Sequence, residues 1–146
     1  RRIKQINGIS CFSGTEDLAI MLTQTDYLVN LLPNTAFTQD LLNYQSLSTL
    51  KRGAYVINVG RGKTLVDEDL INLLDNGHLS GACLDVFRTE PLPSDHQFRN
   101  HNKILITPHN SSTTQAVSAA PQILENYKRA ISGKELLHLV DMKHGY

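Results

Sequence analysis

Short apolar runs alternate along the chain with segments whose apolar positions recur at helical spacing. Four of the runs have the length of a strand and little polar alternation, which is typical of strands covered on both faces. They lie at residues 27–32 (YLVNLL), 54–59 (AYVINV), 82–87 (ACLDVF) and 104–107 (ILIT). A weaker strand is predicted at residues 9–12. The alternation of strands and helices indicates βαβ units around a parallel sheet.

The segments between the runs predict helices with recognisable ends. Thr15 is expected to cap a helix that reaches about residue 24. Leucines at helical spacing predict a second helix over residues 40–50. Asp67 is expected to cap a third helix, which Gly77 can end in the left-handed conformation.

The C-terminal part of the chain is less regular. Apolar residues at helical spacing predict a last helix over residues 116–131, but Pro121 lies inside it and lacks the amide that a helix interior needs. We therefore expect a kink or a fresh helix start at Pro121. The polar stretch at residues 94–102 is expected to form an exposed loop.

Composition narrows the classes of function that need to be considered. The 146 residues suffice for one compact domain, and 14 basic residues balance 14 acidic ones. No long-range field is therefore expected to draw the protein to nucleic acid or to a membrane. Cys11 and Cys83 are expected to be buried free thiols, which suits a reducing cytoplasm. Neither cysteines nor histidines show metal-ligand spacing, so no metal site is expected.

Charged residues collect at the ends of the predicted strands. Arg61 follows the second strand, Asp85 lies near the end of the third and leads to Glu90, and His109 follows the fourth. Ligands bind outside the carboxyl ends of the strands in an open parallel sheet. Each residue alone has an ordinary alternative, such as a solvated turn, a structural network or a helix cap. Their arrangement on one edge, drawn from separate stretches of sequence, predicts a catalytic site.

Three sequence blocks resemble those of the D-2-hydroxyacid dehydrogenase family. They are VINVGRG (56–62), GACLDVFRTEPLP (81–93) and ITPH (106–109), and their order and spacing fit that family from about Gly8 to the C-terminus. The resemblance implies a Rossmann-like, doubly wound parallel sheet. It also implies an oxidoreductase that transfers a hydride between a nicotinamide cofactor and a short 2-keto or 2-hydroxy acid.

Two further segments narrow the resemblance within the family. LLPNT at residues 31–35 and VDMKHGY at 140–146 are similar to the glyoxylate/hydroxypyruvate reductase A group. This likeness implies glyoxylate or hydroxypyruvate as the substrate, and a cytoplasmic homodimer as the working form. The alternative from another class is a non-enzymatic dinucleotide-sensing or corepressor-like protein on the same fold. Such a protein need not keep an arginine, a glutamate and a histidine together.

The resemblance implies roles for the residues at the strand ends. Arg61 would hold the carboxylate and carbonyl of the substrate, because a guanidinium offers a planar fork that matches an α-keto acid. His109 would protonate the carbonyl oxygen as hydride arrives, and Glu90 would bond its other ring nitrogen and fix the tautomer. Asp85 would accept a hydrogen bond from the nicotinamide carboxamide or help to order the ring.

Other residues are implied in cofactor binding. Leu32, Pro33 and Val59 would line the cofactor trough. Arg1 and Arg2 lie where an arginine accommodates the 2′-phosphate of NADP, so they favour NADPH, with NAD as the other possibility and an exposed basic terminus as the structural alternative. After His109 the chain has Asn110 and two serines where many relatives have small apolar residues, so we expect a more polar substrate pocket.

The glycine-rich loop of the family has no counterpart in the chain. The nine glycines never show G-x-G-x-x-G spacing after a strand, and the chain has no initiator methionine. We therefore expect the C-terminal portion of a longer protein with an incomplete sheet. Residues 1–110 would belong to the dinucleotide-binding domain, and residues 111–146 would form a helix and tail that return towards a substrate domain. Alone, such a fragment is expected to be inactive.

Overall fold

The structure, a computed structural model, describes residues 6–141 of the chain. The expected cofactor-binding residues Arg1 and Arg2 lie outside the described residues, as do residues 142–146 of the closing VDMKHGY segment. In the described part of the chain, no helix is long and apolar enough to cross a membrane.

One parallel sheet forms the centre of the fold. Its strands are β1 (Tyr27–Asn30), β2 (Ala54–Asn58), β3 (Leu79–Leu84) and β4 (Ile104–Ile106), and they neighbour one another in the order of the chain. Exposed and buried residues alternate along β1, so one face of the sheet is open to solvent there, at Tyr27 (72% exposed) and Val29 (51% exposed). All four principal strands predicted from the sequence are present, and the Rossmann-like α/β class is confirmed.

Two details of the strand prediction were wrong. Residues 9–12 form no strand, since Ile9 makes only an isolated bridge with Ile6. Strand β3 begins at Leu79, three residues earlier than predicted, and ends before Asp85. The polar Ser80 and Gly81 concealed its start, yet Gly81 lets the ring of Tyr55 pack closely: an added Cβ would lie 2.5 Å from Tyr55 Cε2.

The helices differ from the predictions mainly at their ends. Helix α1 spans Gly14–Thr23 with Ser13 rather than Thr15 at the N-cap position. Helix α3 spans Asp67–Asp75 with Val66 at that position, so Asp67 is its first helical residue. Gly77 has φ 74, which confirms the left-handed end predicted for α3.

Helix α2 is only half as long as expected. It spans Tyr44–Ser48, because Asp40 adopts φ 54 and Leu42 pairs with Leu65 in a bridge, which keeps residues 40–42 out of a helix. Asn43 caps the helix: its side chain accepts from the Ser46 amide, while the Ser46 side chain accepts from the Asn43 amide. Local capping and strand-like pairing therefore override the leucine periodicity.

The last helix predicted from the sequence is confirmed, but two details of the C-terminal half differ from expectation. Helix α4 spans Ala116–Ile131 and continues through Pro121, so no fresh helix start occurs there. None of its residues is buried, and its apolar positions are exposed, among them Val117 and Ile123. The stretch expected as an exposed loop contains a short 3-10 helix, Gln97–Asn100, whose Phe98 is fully buried in the core.

The core lies where leucine-rich helices cover the sheet. Helices α2 and α3 contact each other, and α3 contacts β3. The cluster contains the buried apolar residues Leu22, Leu47, Val56, Leu70, Leu73, Leu74, Leu79, Ala82, Leu84 and Phe98. Burying these side chains stabilises the fold by roughly 1.5–3 kcal/mol for each of the larger ones. The packed sheet fixes the strand ends, from which the candidate site is built.

Candidate active site

The structure brings the three predicted catalytic residues to one cavity. Arg61 follows β2, Glu90 lies beyond β3, and His109 lies beyond β4, at the carboxyl edge of the sheet. All three line a cavity of about 270 Å³, together with Asn34, Gly62, Lys63, Phe87 and Arg88. The sequence prediction that these residues meet on one edge agrees with this geometry.

His109 and Glu90 form a close hydrogen-bonded pair. His109 Nδ1 lies 2.7 Å from Glu90 Oε2, and the two side chains are 51% and 36% exposed. An ionised carboxylate is an acceptor only, so it places the ring proton on Nδ1 and leaves Nε2 as the other functional atom of the ring. The pair has the geometry of an acid–base residue whose tautomer is fixed by a carboxylate.

Glu90 is itself held in its ionised form by the backbone. The amide of Phe87 donates to Glu90 Oε1 over 2.9 Å. This backbone hydrogen bond is the main cause that lowers the pKa of Glu90, with burial acting in the opposite direction and the bond to His109 adding to the decrease. The Glu90–Pro91 peptide bond is cis. One oxygen of Glu90 is thus anchored to the main chain while the other orients His109.

Arg61 lies in a turn between Gly60 and Gly62, and each of these glycines packs closely against the backbone of another segment. A Cβ on Gly60 would lie 2.8 Å from the carbonyl oxygen of Leu32, and a Cβ on Gly62 would overlap the backbone carbon and oxygen of Phe87. Only glycine therefore allows this approach on both sides of Arg61. The Arg61 side chain is exposed and its Nη1 donates to the Gly60 carbonyl over 2.6 Å.

Asp85 is buried beneath the segment that carries His109. It is 1% exposed, and its Oδ1 accepts from Thr107 Oγ1 (2.5 Å) and from the Asn110 amide (2.9 Å). Its Oδ2 accepts from the Ser111 amide (3.1 Å) and from Ser111 Oγ (2.6 Å). A carboxylate has about four acceptor positions. All four are used, so Asp85 has no free acceptor for a nicotinamide carboxamide in this arrangement.

The observed contacts of Asp85 instead fix the backbone around His109. His109 has φ 50, a left-handed conformation that is uncommon outside glycine. The bonds from Thr107 on one side and from Asn110 and Ser111 on the other hold this conformation in place. Asp85 therefore contacts the site through the loop, in agreement with the structural network that the sequence left open as an alternative.

The serine after Asn110 does not have the orientation expected from the sequence. We expected it to make the substrate pocket more polar, but both the amide and the hydroxyl of Ser111 donate to Asp85. The buried charge needs these donors, because an ionised group without partners in a protein interior costs several kcal/mol. Ser111 thus stabilises the loop from within.

We expect Asp85→Asn in the full-length protein to lower the free energy of unfolding at neutral pH by about 1–3 kcal/mol. The carboxamide nitrogen of asparagine is a donor, and it would replace a carboxylate oxygen that accepts hydrogen bonds from other donors. Although burial raises the pKa of Asp85, the bonds from Ser111, Thr107 and Asn110 lower it well below its usual range. A carboxyl with a lowered folded-state pKa stabilises the protein above its unfolded value, and this contribution is lost as the pH falls.

Denaturant unfolding across pH tests this prediction. The difference between wild type and Asp85→Asn should be largest at neutral pH and should shrink below pH about 4. Asp95→Asn is the matched control, because it replaces an exposed carboxylate. The stability of this variant should follow that of the wild type at each pH. A constant difference at all pH values would contradict an ionised, stabilising Asp85.

The residues expected to line the cofactor also lie at the carboxyl edge. Leu32 and Pro33 follow β1, and Val59 follows β2. The Val59 amide donates to the Asn30 carbonyl over 3.2 Å, which joins the two segments. Leu32 is 39% exposed, and its backbone is in contact with Gly60. Their role in cofactor binding stays a prediction, and the sequence contains no glycine-rich cradle for a pyrophosphate.

Several residues near the site were missed by the sequence analysis. Asn30, Asn58 and Thr64 form a buried polar cluster below Arg61. Arg88 also lines the cavity, but its Nη1 is bound to Asp40 and to the Leu65 carbonyl. The hydrogen bond from Arg88 lowers the pKa of Asp40. The available signal for the cluster was a polar residue at the end of each of two apolar strands.

Comparison with known proteins identifies the family. Residues 8–111 match the sequence model described as "D-isomer specific 2-hydroxyacid dehydrogenase, NAD binding domain". Glyoxylate/hydroxypyruvate reductase A of Serratia proteamaculans (strain 568) is 43% identical over 146 residues, which is 100% of this chain and 47% of that protein. The corresponding protein of Yersinia enterocolitica is 40% identical with the same coverage. The chain spans about half the length of these relatives.

Solved structures give the same result. The D-isomer specific 2-hydroxyacid dehydrogenase of Xanthobacter autotrophicus Py2, crystallised with NADPH and MES, superimposes with a TM-score of 0.96 at 41% identity. It is matched over 100% of this chain and 60% of that chain. The NADPH-dependent glyoxylate/hydroxypyruvate reductase of Sinorhizobium meliloti, with NADP and sulfate, gives 0.92 at 33% identity, over 100% and 48% of the two chains. The chain therefore belongs to the D-isomer specific 2-hydroxyacid dehydrogenase family.

Proposed function

We propose that this chain supplies the acid–base and substrate-binding half of an NADPH-dependent reductase of short 2-keto acids, such as glyoxylate or hydroxypyruvate. The observation that carries the proposal is the His109–Glu90 pair, with 2.7 Å between its atoms, on the same cavity as Arg61. The names of the relatives from Serratia proteamaculans and Sinorhizobium meliloti support the substrate class.

The three residues divide the chemistry between them. Arg61 binds the carboxylate of the keto acid with its guanidinium and places the carbonyl beside His109. In its doubly protonated imidazolium form, His109 donates a proton from Nε2 to the carbonyl oxygen and becomes neutral, while it keeps the Nδ1 proton that is hydrogen-bonded to Glu90. Glu90 remains ionised throughout, because the Phe87 amide stabilises its carboxylate. A nicotinamide cofactor, when bound, supplies the hydride that the carbonyl carbon accepts.

This geometry favours an enzyme over a dinucleotide-sensing protein. A sensing protein needs a cofactor trough, but it does not need a histidine and a glutamate within hydrogen-bond distance beside an arginine. The proposed residues of the cofactor side remain Leu32, Pro33 and Val59. Asp85 remains proposed there through the loop that it fixes. Arg1 and Arg2 remain proposed partners of the 2′-phosphate. The division at residue 110 into a dinucleotide-binding part and a returning helix is likewise proposed.

The assembly and location follow as part of the same proposal. Cys11 and Cys83 are free, as is usual in a reducing compartment, so we propose a cytoplasmic location. The exposed apolar side chains of α4, such as Val117 and Ile131, are typical of a surface that other protein covers. A homodimer of the full-length protein is the proposed form, and light scattering of the purified protein tests it.

The direct experiment is reduction of glyoxylate and of hydroxypyruvate by the full-length protein, followed as loss of NADPH absorbance. We expect turnover with both keto acids and none with the corresponding aldehydes that lack a carboxylate, because Arg61 would have no anion to bind. A full-length protein that reduces neither keto acid would contradict the proposal.

Cofactor preference is a separate expected result. Because two arginines lie where the 2′-phosphate of NADP is bound in this fold, kcat/KM should be higher with NADPH than with NADH by about tenfold or more, the effect of one charge-assisted contact of about 1.4 kcal/mol or more. Replacing both Arg1 and Arg2 by Gln should reduce this ratio while leaving kcat with NADH unchanged. An advantage for NADH in the wild type would contradict the role of the arginines.

A further inference from the structure

A buried polar cluster lies below the turn that carries Arg61. It consists of Asn30 at the end of β1, Asn58 at the end of β2 and Thr64 in the 3-10 helix Gly62–Thr64. Asn30 is 4% exposed, and Asn58 and Thr64 are fully buried. Polar side chains at such positions cost free energy unless they are hydrogen-bonded, and apolar residues would serve a core better. Their bonds therefore indicate what the cluster fixes.

Thr64 connects the cluster to Arg61. Thr64 Oγ1 donates to the Arg61 carbonyl over 2.6 Å and accepts from Asn30 Nδ2 over 2.7 Å. Asn58 Nδ2 also donates to the Arg61 carbonyl, over 3.3 Å. Two side chains thus hold the main chain of Arg61, whose exposed side chain lines the cavity.

Asn30 connects the same cluster to the cofactor side. Its Oδ1 accepts from the Leu32 amide over 3.2 Å, and its Nδ2 donates to Asn58 Oδ1 over 2.9 Å. Asn58 Oδ1 accepts in addition from the Gly60 amide over 3.2 Å. The bonds form one continuous path from Leu32 to Arg61, and each polar atom of the three side chains has a partner.

We propose that Asn30, Asn58 and Thr64 are positioning residues. They fix the position of the Arg61 backbone relative to the segment at Leu32. The inference rests on the proposed function, because it assigns the cluster to the placement of the keto acid against the cofactor. The hydroxyl of Thr64 is the critical group, since its one oxygen bonds both Arg61 and Asn30 and makes the shorter of the two side-chain bonds to the Arg61 carbonyl. A displacement of about 1 Å in such a group can reduce reactivity by about 10²-fold.

Thr64→Val separates positioning from general structure. It keeps the shape of the side chain and removes the hydroxyl, but it leaves the bonds of Asn30 to Leu32 and Asn58 in place. In the full-length protein we expect KM for glyoxylate to rise by about 10–100-fold, while KM for NADPH changes by less than about threefold. Thr64→Ser keeps the hydroxyl and should restore KM for glyoxylate, and Thr64→Cys, with its weak donor, should lie between the two.

Thr25→Val is the matched control. Thr25 Oγ1 donates to the Met21 carbonyl over 2.8 Å at the end of α1, so this variant also loses one hydroxyl–carbonyl bond. Its kinetic constants should equal those of the wild type. If Thr64→Val is too unstable to purify, the order of KM between Thr64→Ser and Thr64→Cys still decides the question.

The possible results distinguish the two proposals. A wild type that reduces no keto acid overturns the proposed function and this inference with it. An active wild type with unchanged KM for glyoxylate in Thr64→Val and Thr64→Cys overturns the inference alone. A Thr64→Val protein whose two KM values and kcat all worsen together with its melting temperature also overturns it, because that result indicates a merely structural role.

Discussion

His109→Gln in the full-length protein should lose turnover by about 10²–10⁴-fold, the usual contribution of a general acid or base. A glutamine amide can still donate a hydrogen bond to Glu90, but it cannot transfer a proton to a carbonyl oxygen. The loss should appear in kcat, because the substrate carboxylate is held by Arg61 and the cofactor by other residues. Binding of NADPH, measured by fluorescence titration, should be close to that of the wild type.

His101→Gln is the matched control for this experiment. His101 Nε2 lies 3.2 Å from Asp75 Oδ1, so the chain offers another histidine–carboxylate pair, and His101 does not line the cavity that His109 lines. Its replacement should leave kcat unchanged. Full turnover in His109→Gln, or an equal loss in both variants, would show that His109 is not the acid.

Gly62→Ala should damage both stability and activity. The added Cβ would overlap backbone atoms of Phe87, and backbone atoms cannot move away as the end of a flexible side chain can. Overpacking of this kind typically costs about 1–3 kcal/mol and sometimes more. Because the Phe87 amide also holds Glu90, any shift of Phe87 moves the partner of His109. We therefore expect a lower denaturation midpoint together with a loss of kcat.

Gly53→Ala separates steric overlap from backbone strain. Gly53 has φ 85 and open space around its Cα, so alanine there costs only the left-handed conformation, roughly 1–2 kcal/mol. Its activity should be that of the wild type. Gly62→Ala would contradict the close-approach argument if it were as stable as Gly53→Ala and fully active.

The sequence predicted those parts of the fold that depend on periodic burial. Strands β1, β2 and β4 are recognisable because their apolar runs have no polar alternation. The expected cover on both faces is wrong for β1 and β4 in the described part of the chain, since Val29 and Leu105 are exposed. Helix α2 was predicted at twice its length, because leucine spacing does not report the positive φ of Asp40 or the bridge at Leu42. Such features depend on contacts with Leu65 and residues beyond it, which no local window contains.

The candidate site shows the same division. The meeting of Arg61, Glu90 and His109 follows from topology, since the carboxyl ends of parallel strands share an edge. The orientation of Ser111 towards Asp85, the φ of His109 and the cis bond before Pro91 do not follow, because they result from three-dimensional packing. Asp85 is the instructive case: the sequence showed that a carboxylate in an apolar segment needs partners, but it did not show which ones.

The strand order also has a consequence for how this part of the molecule folds. Each strand pairs with the next strand along the chain, and the order β1, β2, β3, β4 contains no jump. Loop-closure entropy is lower for near neighbours in sequence, so this sheet can grow by adding one βα unit after another. During synthesis the residues around His109, which leave the ribosome last among the site residues, can dock onto an edge that already carries Arg61 and Glu90.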